Sequence, residues 1–431
     1  MSCAALAWKG LLEAFAEVFT RPSLGLFEEL ASAWVLCPGR HTITRMIQVM
    51  VPSNRRAHDA YHRLLRAGAW SMATFWRTLT LLLVKIVCKG DRLRVDLDDT
   101  LFHKAGRKVE GAGTFRDAVR SLPHRVAYAR GLNLVVLTLR VRGPWGGEPL
   151  GLPINMRLYR KGGPSHLDLA QEMIREVAGW FPEYRFDLAC DGAYASLAGR
   201  DLPSTYLTSR MRRDAALFAP PPPRRKGQRG RPAKKGSRLP APQQMAQRNR
   251  QGWLRRTVEM RGKKVERLLL CRPVLWYAVC PDRLVLLVIV RDPSGKERDD
   301  FFFTTDLKAP GQAVASHYAG RWSIEDTFRN VKQSLGGQDP QTWKGQGPER
   351  AAAFSLWLYS SVWLWYIMTQ GTKPSWPSLP WYASKSTPSF ADALASLRRA
   401  LWRQRIFGRC DPGPLPRKMA HAMIEVLAHA A

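Results

Sequence analysis

The chain has 431 residues, 45% of them apolar, so it is long enough for about two to four domains and too apolar for a disordered protein. Its 67 basic residues outnumber 35 acidic ones, and a net charge of +32 predicts attraction to a polyanion, with nucleic acid the leading candidate. The seven cysteines never fall in C-x-x-C spacing and the nine histidines form no H-E-x-x-H cluster. That argues against a zinc site or disulfide frame and for free thiols in a reducing compartment, here the cytoplasm.

No basic segment followed by a long apolar run opens the sequence, so no signal peptide is expected. Residues 1–90 carry apolar residues at helical spacing, in "GLLEAFAEVF" and "YHRLLRAGAWSMATFWRTLTLLL", punctuated by Pro22, Pro38 and Pro52. "GRHTITRMIQVM" offers His41 or Thr42 as the N-cap of a basic helix. The region reads as a helical N-terminal DNA-binding part, although any small helical bundle gives the same pattern.

From residue 91 the period changes. "RLRVDLDD" alternates like a strand, 131–141 is a long β-branched run, and 148–160 reads as a third strand. "SHLDLAQEMIREVAGWF" is an amphipathic helix with Ser165 and Asp168 placed as a capping box. A strand over 184–194 then runs into Asp191, and 204–210 is a further strand. Three strands, helix, strand, helix, strand is the order of an RNase H-like domain, an α/β fold with a mixed sheet and helices on both faces. Residues 91–210 are assigned to its first part.

An insertion is expected over 211–308. Its basic stretch 221–242 is rich in Pro and Gly and contains no acid, and reads as an arm or linker. Residues 253–304 read as strands with turns at Arg261-Gly262, Pro281-Asp282 and Asp292-Pro293-Ser294-Gly295. The second part of the core, 309–370, carries the stretch "YAGRWSIEDTFRNVK" and then the apolar run "FSLWLYSSVWLWYIM". That run is shorter than a bilayer needs and is expected to be a buried helix, with no membrane as partner. Residues 371–431 close the chain as a helical region.

Three carboxylates stand where chemistry could gather. Asp98 or its neighbour Asp99 ends the first strand, Asp191 ends the fourth, and Glu325 lies on the late helix. Strand ends in such sheets point side chains at the functional rim. Carboxylates meeting there would suit Mg²⁺, which takes hard oxygen ligands, and two such ions suit phosphodiester chemistry. Each residue also has a plainer reading: Asp98 and Asp99 as turn or cap residues, Asp191-Gly192 as a strand-to-turn junction, Glu325 as the i,i+4 partner of Arg329. Strand alternation groups Asp96, Asp98 and Thr100 on one side, which favours Asp98 over Asp99.

Tyr318, Arg321, Glu325 and Lys332 match the Y-(2)-R-(3)-E-(6)-K signature of IS4-type DDE transposases in all four positions. "VDLDDT" resembles that superfamily's first-aspartate motif and "ACDGAYAS" its second, so the chain resembles these enzymes over most of its length, from about residue 41 to about residue 402. The resemblance implies a metal triad of Asp98, Asp191 and Glu325 holding two Mg²⁺ or Mn²⁺ ions, with Tyr318, Arg321 and Lys332 on the phosphates of the transposon end. It implies double-stranded DNA as partner, both terminal inverted repeats and target, and a homodimer in the synaptic complex. Trp322 resembles an aromatic used around a flipped base; its plain alternative is core packing. "RGRP" (229–232) resembles an AT-hook core, and the arm's Arg229, Arg231, Lys234 and Lys235 are expected to meet DNA phosphates. Two rivals are an RNase H-like nuclease or resolvase unconnected with transposition, and a domesticated DNA-binding protein without catalysis.

Overall fold

The computed structural model describes residues 3–50, 56–122, 124–223, 230–376, 380–407 and 417–430. Five helices come first: α1 (Cys3–Glu13), α2 (Arg21–Leu36), α3 (Ile43–Gln48), α4 (His58–Ala67) and α5 (Met72–Val87). Thr42 caps α3 by accepting from the Arg45 N–H at 3.3 Å.

The sheet opens with β1 (Arg92–His103), β2 (Gly113–Arg116), β3 (Tyr128–Val141) and β4 (Leu150–Tyr159). The short β2 is absent from the pattern read in the sequence. Helix α6 (His166–Trp180) follows, with the Ser165–Asp168 capping box formed as expected. Strands β5 (Arg185–Cys190) and β6 (Thr205–Arg210) are joined by a 3-10 helix, Gly192–Gly199, where an ordinary helix was expected.

Strand β1 pairs antiparallel with β3, which pairs with β4, and parallel with β5, which pairs parallel with β6. The order β4-β3-β1-β5-β6 is that of an RNase H-like core. After the short helix α7 (Pro242–Arg248) come β7 (Leu254–Met260), β8 (Lys263–Val274), β9 (Val285–Arg291) and β10 (Asp300–Thr304). These strands extend the same sheet, because β10 pairs antiparallel with β6 and the meander β10-β9-β8-β7 continues outward.

The second half of the arm is attached to the body, where an unpacked arm or linker was expected. The Ala219 N–H donates to the Ser237 carbonyl at 2.9 Å and the Leu239 N–H to the Leu217 carbonyl at 2.8 Å.

Helices α8 (Gly311–Gly320) and α9 (Trp322–Gln333) cover one sheet face, and α6 covers the other against β3 and β4. The apolar run lies inside α10 (Gly347–Gln370), which is buried from Ala351 to Tyr366. It is long and apolar enough to cross a bilayer. Here its surface packs against β4 and the N-terminal helices: Trp357 meets Phe15, Phe27 and Phe75 with ring centroids 5.0–5.5 Å apart. Trp34 of α2 donates to the Leu335 carbonyl at 2.7 Å, which ties the helical bundle to the segment just after α9. Helices α11 (Phe390–Phe407) and α12 (Arg417–His429) complete the chain.

Candidate active site

The alternation of β1 sends consecutive aspartates to opposite faces. Asp96 and Asp98 face α9, where Ser323 and Arg321 meet them; Asp99 faces α6, where Tyr194 and Asn133 meet it. The Tyr194 hydroxyl donates to Asp99 at 3.1 Å, and the Asn133 amide lies at 3.4 Å. Asp99 is therefore engaged in holding the far side of the sheet.

Asp98 accepts from Arg321 Nη1 at 2.6 Å, and the same guanidinium donates through Nη2 to Glu325 at 2.8 Å. Arg321 stands at the junction of α8 and α9, with φ −56° and ψ −26°, so the four-residue stripe spans two helices set end to end. Glu325 lies in the first turn of α9, where the helix dipole favours a carboxylate. The i,i+4 reading with Arg329 is overturned: Arg329 pairs with Asp326 at 2.7 Å.

Asp191 follows β5 directly. The parallel register pairs Leu97 with Cys190, so Asp98 and Asp191 come next on strands about 4.8 Å apart. Asp191 uses its backbone carbonyl to receive the Tyr194 N–H and the Ser209 hydroxyl, and its side chain makes no capping bond to the 3-10 helix. Burial pushes the Asp98 carboxyl up to about 7; Arg321 opposes this, while the charges of Asp99 and Asp191 add to it.

Tyr318 lies against Phe302, with ring centroids 4.4 Å apart, and the Arg321 guanidinium is 5.6 Å from its ring. Burial is the main reason its phenol is raised. Lys332 is set apart from this group. Its ammonium lies 5.9 Å from the Phe102 ring, near the end of β1, and burial lowers its pKa against the pull of Asp117. Trp322 is 43% exposed, so the core-packing alternative is overturned; Arg261 lies 4.6 Å over its ring.

Three contributors escaped the sequence. Arg140 on β3 holds the fully buried Asp96 through two guanidinium nitrogens, one at 2.9 Å. Ser323 touches the same carboxylate at 3.3 Å. Arg261 reaches Trp322 because the β7–β8 turn has only two residues, Arg261 and Gly262, both with positive φ (49° and 71°). That is the pattern of a type I′ hairpin, for which Arg-Gly in the sequence was a legible signal. A cleft of about 320 Å³ on this face runs past Arg140, Arg261 and Trp322 to Arg92 and Arg94, and Asp98, Asp191 and Glu325 do not line it.

Of the arm residues, Arg229 lies outside the described residues. Arg231 and Lys234 are exposed, and Lys235 lies 4.3 Å over Phe218 and 5.2 Å from Tyr277.

The donor set suits a divalent cation in kind, being hard carboxylate oxygens midway along β1, just past the end of β5 and in the first turn of α9. A positive group already bridges two of the three, since the Arg321 guanidinium spans Asp98 and Glu325. Among the described residues, no three His, Cys, Asp or Glu side chains gather closely enough to surround one ion.

Asp98 was expected to end the first strand but lies midway along it, because β1 stays paired with β3 as far as His103 while its pairing with β5 stops at Leu97. A five-strand mixed core with one carboxylate at that point of β1 and another just past the end of β5 defines an RNase H-like catalytic domain. The family model described as DDE superfamily endonuclease matches residues 15–267, and the chain belongs to that family. The match includes both candidate aspartates and ends before Glu325. Members of this superfamily cut DNA with the help of divalent metal ions, so the substrate of this chain is DNA. No curated protein matches the chain.

Proposed function

We propose that the protein is a DNA transposase of the IS4 type, which cleaves at terminal inverted repeats and joins the freed ends to target DNA. The observation that carries this reading is the bridge from Asp98, midway along β1 where its pairing with β5 stops, through Arg321 to Glu325, with Asp191 just past the end of the neighbouring strand. It joins the first-aspartate motif to the late Y-R-E-K stretch across a separation of 223 residues.

In this reading Asp98, Asp191 and Glu325 hold the metal ions. The chemistry that Mg²⁺ or Mn²⁺ would supply there is activation of a water or 3′-hydroxyl and stabilisation of the leaving oxygen. Asp98 keeps its proton to about pH 7 among its protein neighbours and gives it up when further positive charge arrives. Arg321 serves two masters: it restrains Asp98 and Glu325, and its planar fork is suited to a phosphate once DNA enters. Tyr318 and Lys332 add contacts on either side of it along the DNA backbone. Trp322 offers an open ring face for an extruded base, with Arg261 as its lid. A dimer would pair the two ends before cutting.

The test is cleavage of a supercoiled plasmid carrying the DNA that flanks the gene, in Mg²⁺, beside a gel-shift on the same fragment. Asp191→Ala and Glu325→Ala are expected to bind as the parent does and to cut at least about a thousandfold more slowly. Normal cutting by either variant sinks the triad. A nuclease unconnected with transposition is favoured instead if the flanking DNA holds no inverted repeats bounded by a target duplication.

A further inference from the structure

Asp98 and Asp191 stand just beyond the ladder that joins their strands. The last β1–β5 pair is Leu97 with Cys190, one residue short of both aspartates. From there β1 stays paired with β3 as far as His103, while β5 ends and the chain turns into the 3-10 helix Gly192–Gly199. The spacing of the two carboxylates must therefore be set by something other than the sheet.

Tyr194 spans this gap from the α6 side. Its backbone N–H donates to the Asp191 carbonyl at 2.9 Å, and its hydroxyl donates to Asp99 Oδ1 at 3.1 Å. Asp99 passes the hold on, because its own N–H donates to Asp98 Oδ1 at 2.9 Å. The Asp191 carbonyl also accepts from the Ser209 hydroxyl of β6 at 3.0 Å, so that backbone is fixed from two sides. Tyr194 is buried, and burial together with the charges of Asp99 and Asp98 raises its phenol, so the hydroxyl keeps its proton and donates.

Asp99 is anchored in turn. Its other oxygen lies 3.4 Å from the Asn133 amide nitrogen on β3, and Asn133 Oδ1 lies 3.0 Å from His166 Nε2 at the start of α6. The His166 ring stacks on Tyr159 of β4, with centroids 3.9 Å apart. The chain Tyr194–Asp99–Asn133–His166 thus runs from the end of β5 across β1 and β3 to a packed ring.

We infer that Tyr194 is a positioning residue, a strut between Asp99 and the Asp191 backbone that sets the distance between the Asp98 and Asp191 carboxylates before any metal arrives; this role rests on the triad proposed above. Carboxylates that share ions must be held within about 0.5 Å of their working positions, and partners one step behind the ligands supply that hold. Tyr194 acts only through neighbours of the ligands, Asp99 on one side and the Asp191 carbonyl on the other. What it needs from Asp99 is an oxygen that accepts, not a charge.

The experiment titrates Mn²⁺ into the full chain without DNA, reads the free ion by electron paramagnetic resonance, and sets beside it plasmid cutting against Mg²⁺ concentration. Tyr194→Phe keeps the ring and removes the donor; it should weaken Mn²⁺ binding about tenfold and raise the Mg²⁺ needed for half-maximal cutting by a similar factor. Metal-free binding to the flanking fragment should stay as in the parent, and excess Mg²⁺ should restore most of the rate. Asp99→Asn leaves an oxygen for the phenol and should bind Mn²⁺ within about threefold of the parent, and adding it to Tyr194→Phe should cost little more. If Tyr194→Phe does not fold, Asp99→Ala, which removes the acceptor, is read in its place. A Tyr194→Phe chain that melts lower but binds Mn²⁺ as the parent does overturns the strut and makes the tyrosine a packing residue. An equal loss in Asp99→Asn also overturns it, because the charge of Asp99 and not the bond then acts on the ions. A parent that binds no Mn²⁺, or whose binding survives Asp191→Ala, sinks the triad itself; binding that depends on Asp191 but not on Tyr194 sinks only the strut.

Discussion

Replacing the adjacent aspartates one at a time by asparagine separates their roles, because the two changes should have opposite signs in two assays. Burial places the Asp98 carboxyl at about 7 against an ordinary 3.8, so at about 1.36 kcal/mol per pH unit its ionised form costs the fold up to about 4 kcal/mol above pH 7. The folded state holds the proton more tightly than the unfolded one. Stability from this group is therefore complete below about pH 4, falls as pH rises, and is lost once pH passes about 7. Asp98→Asn removes that cost. Arg321 keeps Glu325 but loses a charged partner, so a net gain of about 1–3 kcal/mol at pH 8 is expected in urea unfolding followed by tryptophan fluorescence. The same variant should not cut DNA. Asp99→Asn turns a charge-assisted bond from the buried Tyr194 hydroxyl into a neutral one, costs about 1 kcal/mol, and should cut near the parent rate. Cutting by Asp98→Asn, or its loss in Asp99→Asn with the fold intact, would refute the assignment of faces along β1.

Two further outcomes follow from contacts outside the carboxylates. Arg140→Met strands the fully buried Asp96 without its guanidinium and should lower stability by about 3–5 kcal/mol, with part of the loss restored when Asp96→Asn is added; an unchanged urea midpoint would contradict this. In the arm, Arg231→Ala with Lys234→Ala should reduce the slope of log affinity against log salt by up to about 2, whereas Lys235→Ala should leave the slope and cost about 0.5–1 kcal/mol of stability, since its ammonium rests on Phe218 and Tyr277. Filter binding at several salt concentrations and thermal melting distinguish the two.

Local rules carried much of this molecule. The Ser165–Asp168 box, the alternation that separates Asp98 from Asp99, and the fixed steps from Tyr318 to Lys332 are all set by neighbours in sequence, and they could be read there. What the chain does at long range was hidden. Nothing near Asp96 announces Arg140, and nothing near Trp322 announces Arg261, because each pair forms only when separate strands and helices have come together. The strands of 254–304 were visible as strands, but an alternating pattern does not state which edge it will join. The pairing of β10 with β6 depends on the whole sheet. The arm misled for a related reason: Pro, Gly and charge describe a segment without a core of its own, not one that borrows backbone partners at 217 and 219.

That shared sheet also sets a timetable. Strand β6 has β10 on its outer edge, β10 carries the rest of the meander, and α8, which packs across β6, β7 and β10, precedes the α9 whose Glu325 meets Asp98 through Arg321. Closing so large a loop is entropically costly and slow, and contacts inside the N-terminal part form earlier. During synthesis both aspartates leave the ribosome long before the glutamate exists. If the triad is as proposed, a half-made chain can carry basic surface and cling to DNA but should not cut it, since Glu325 comes last.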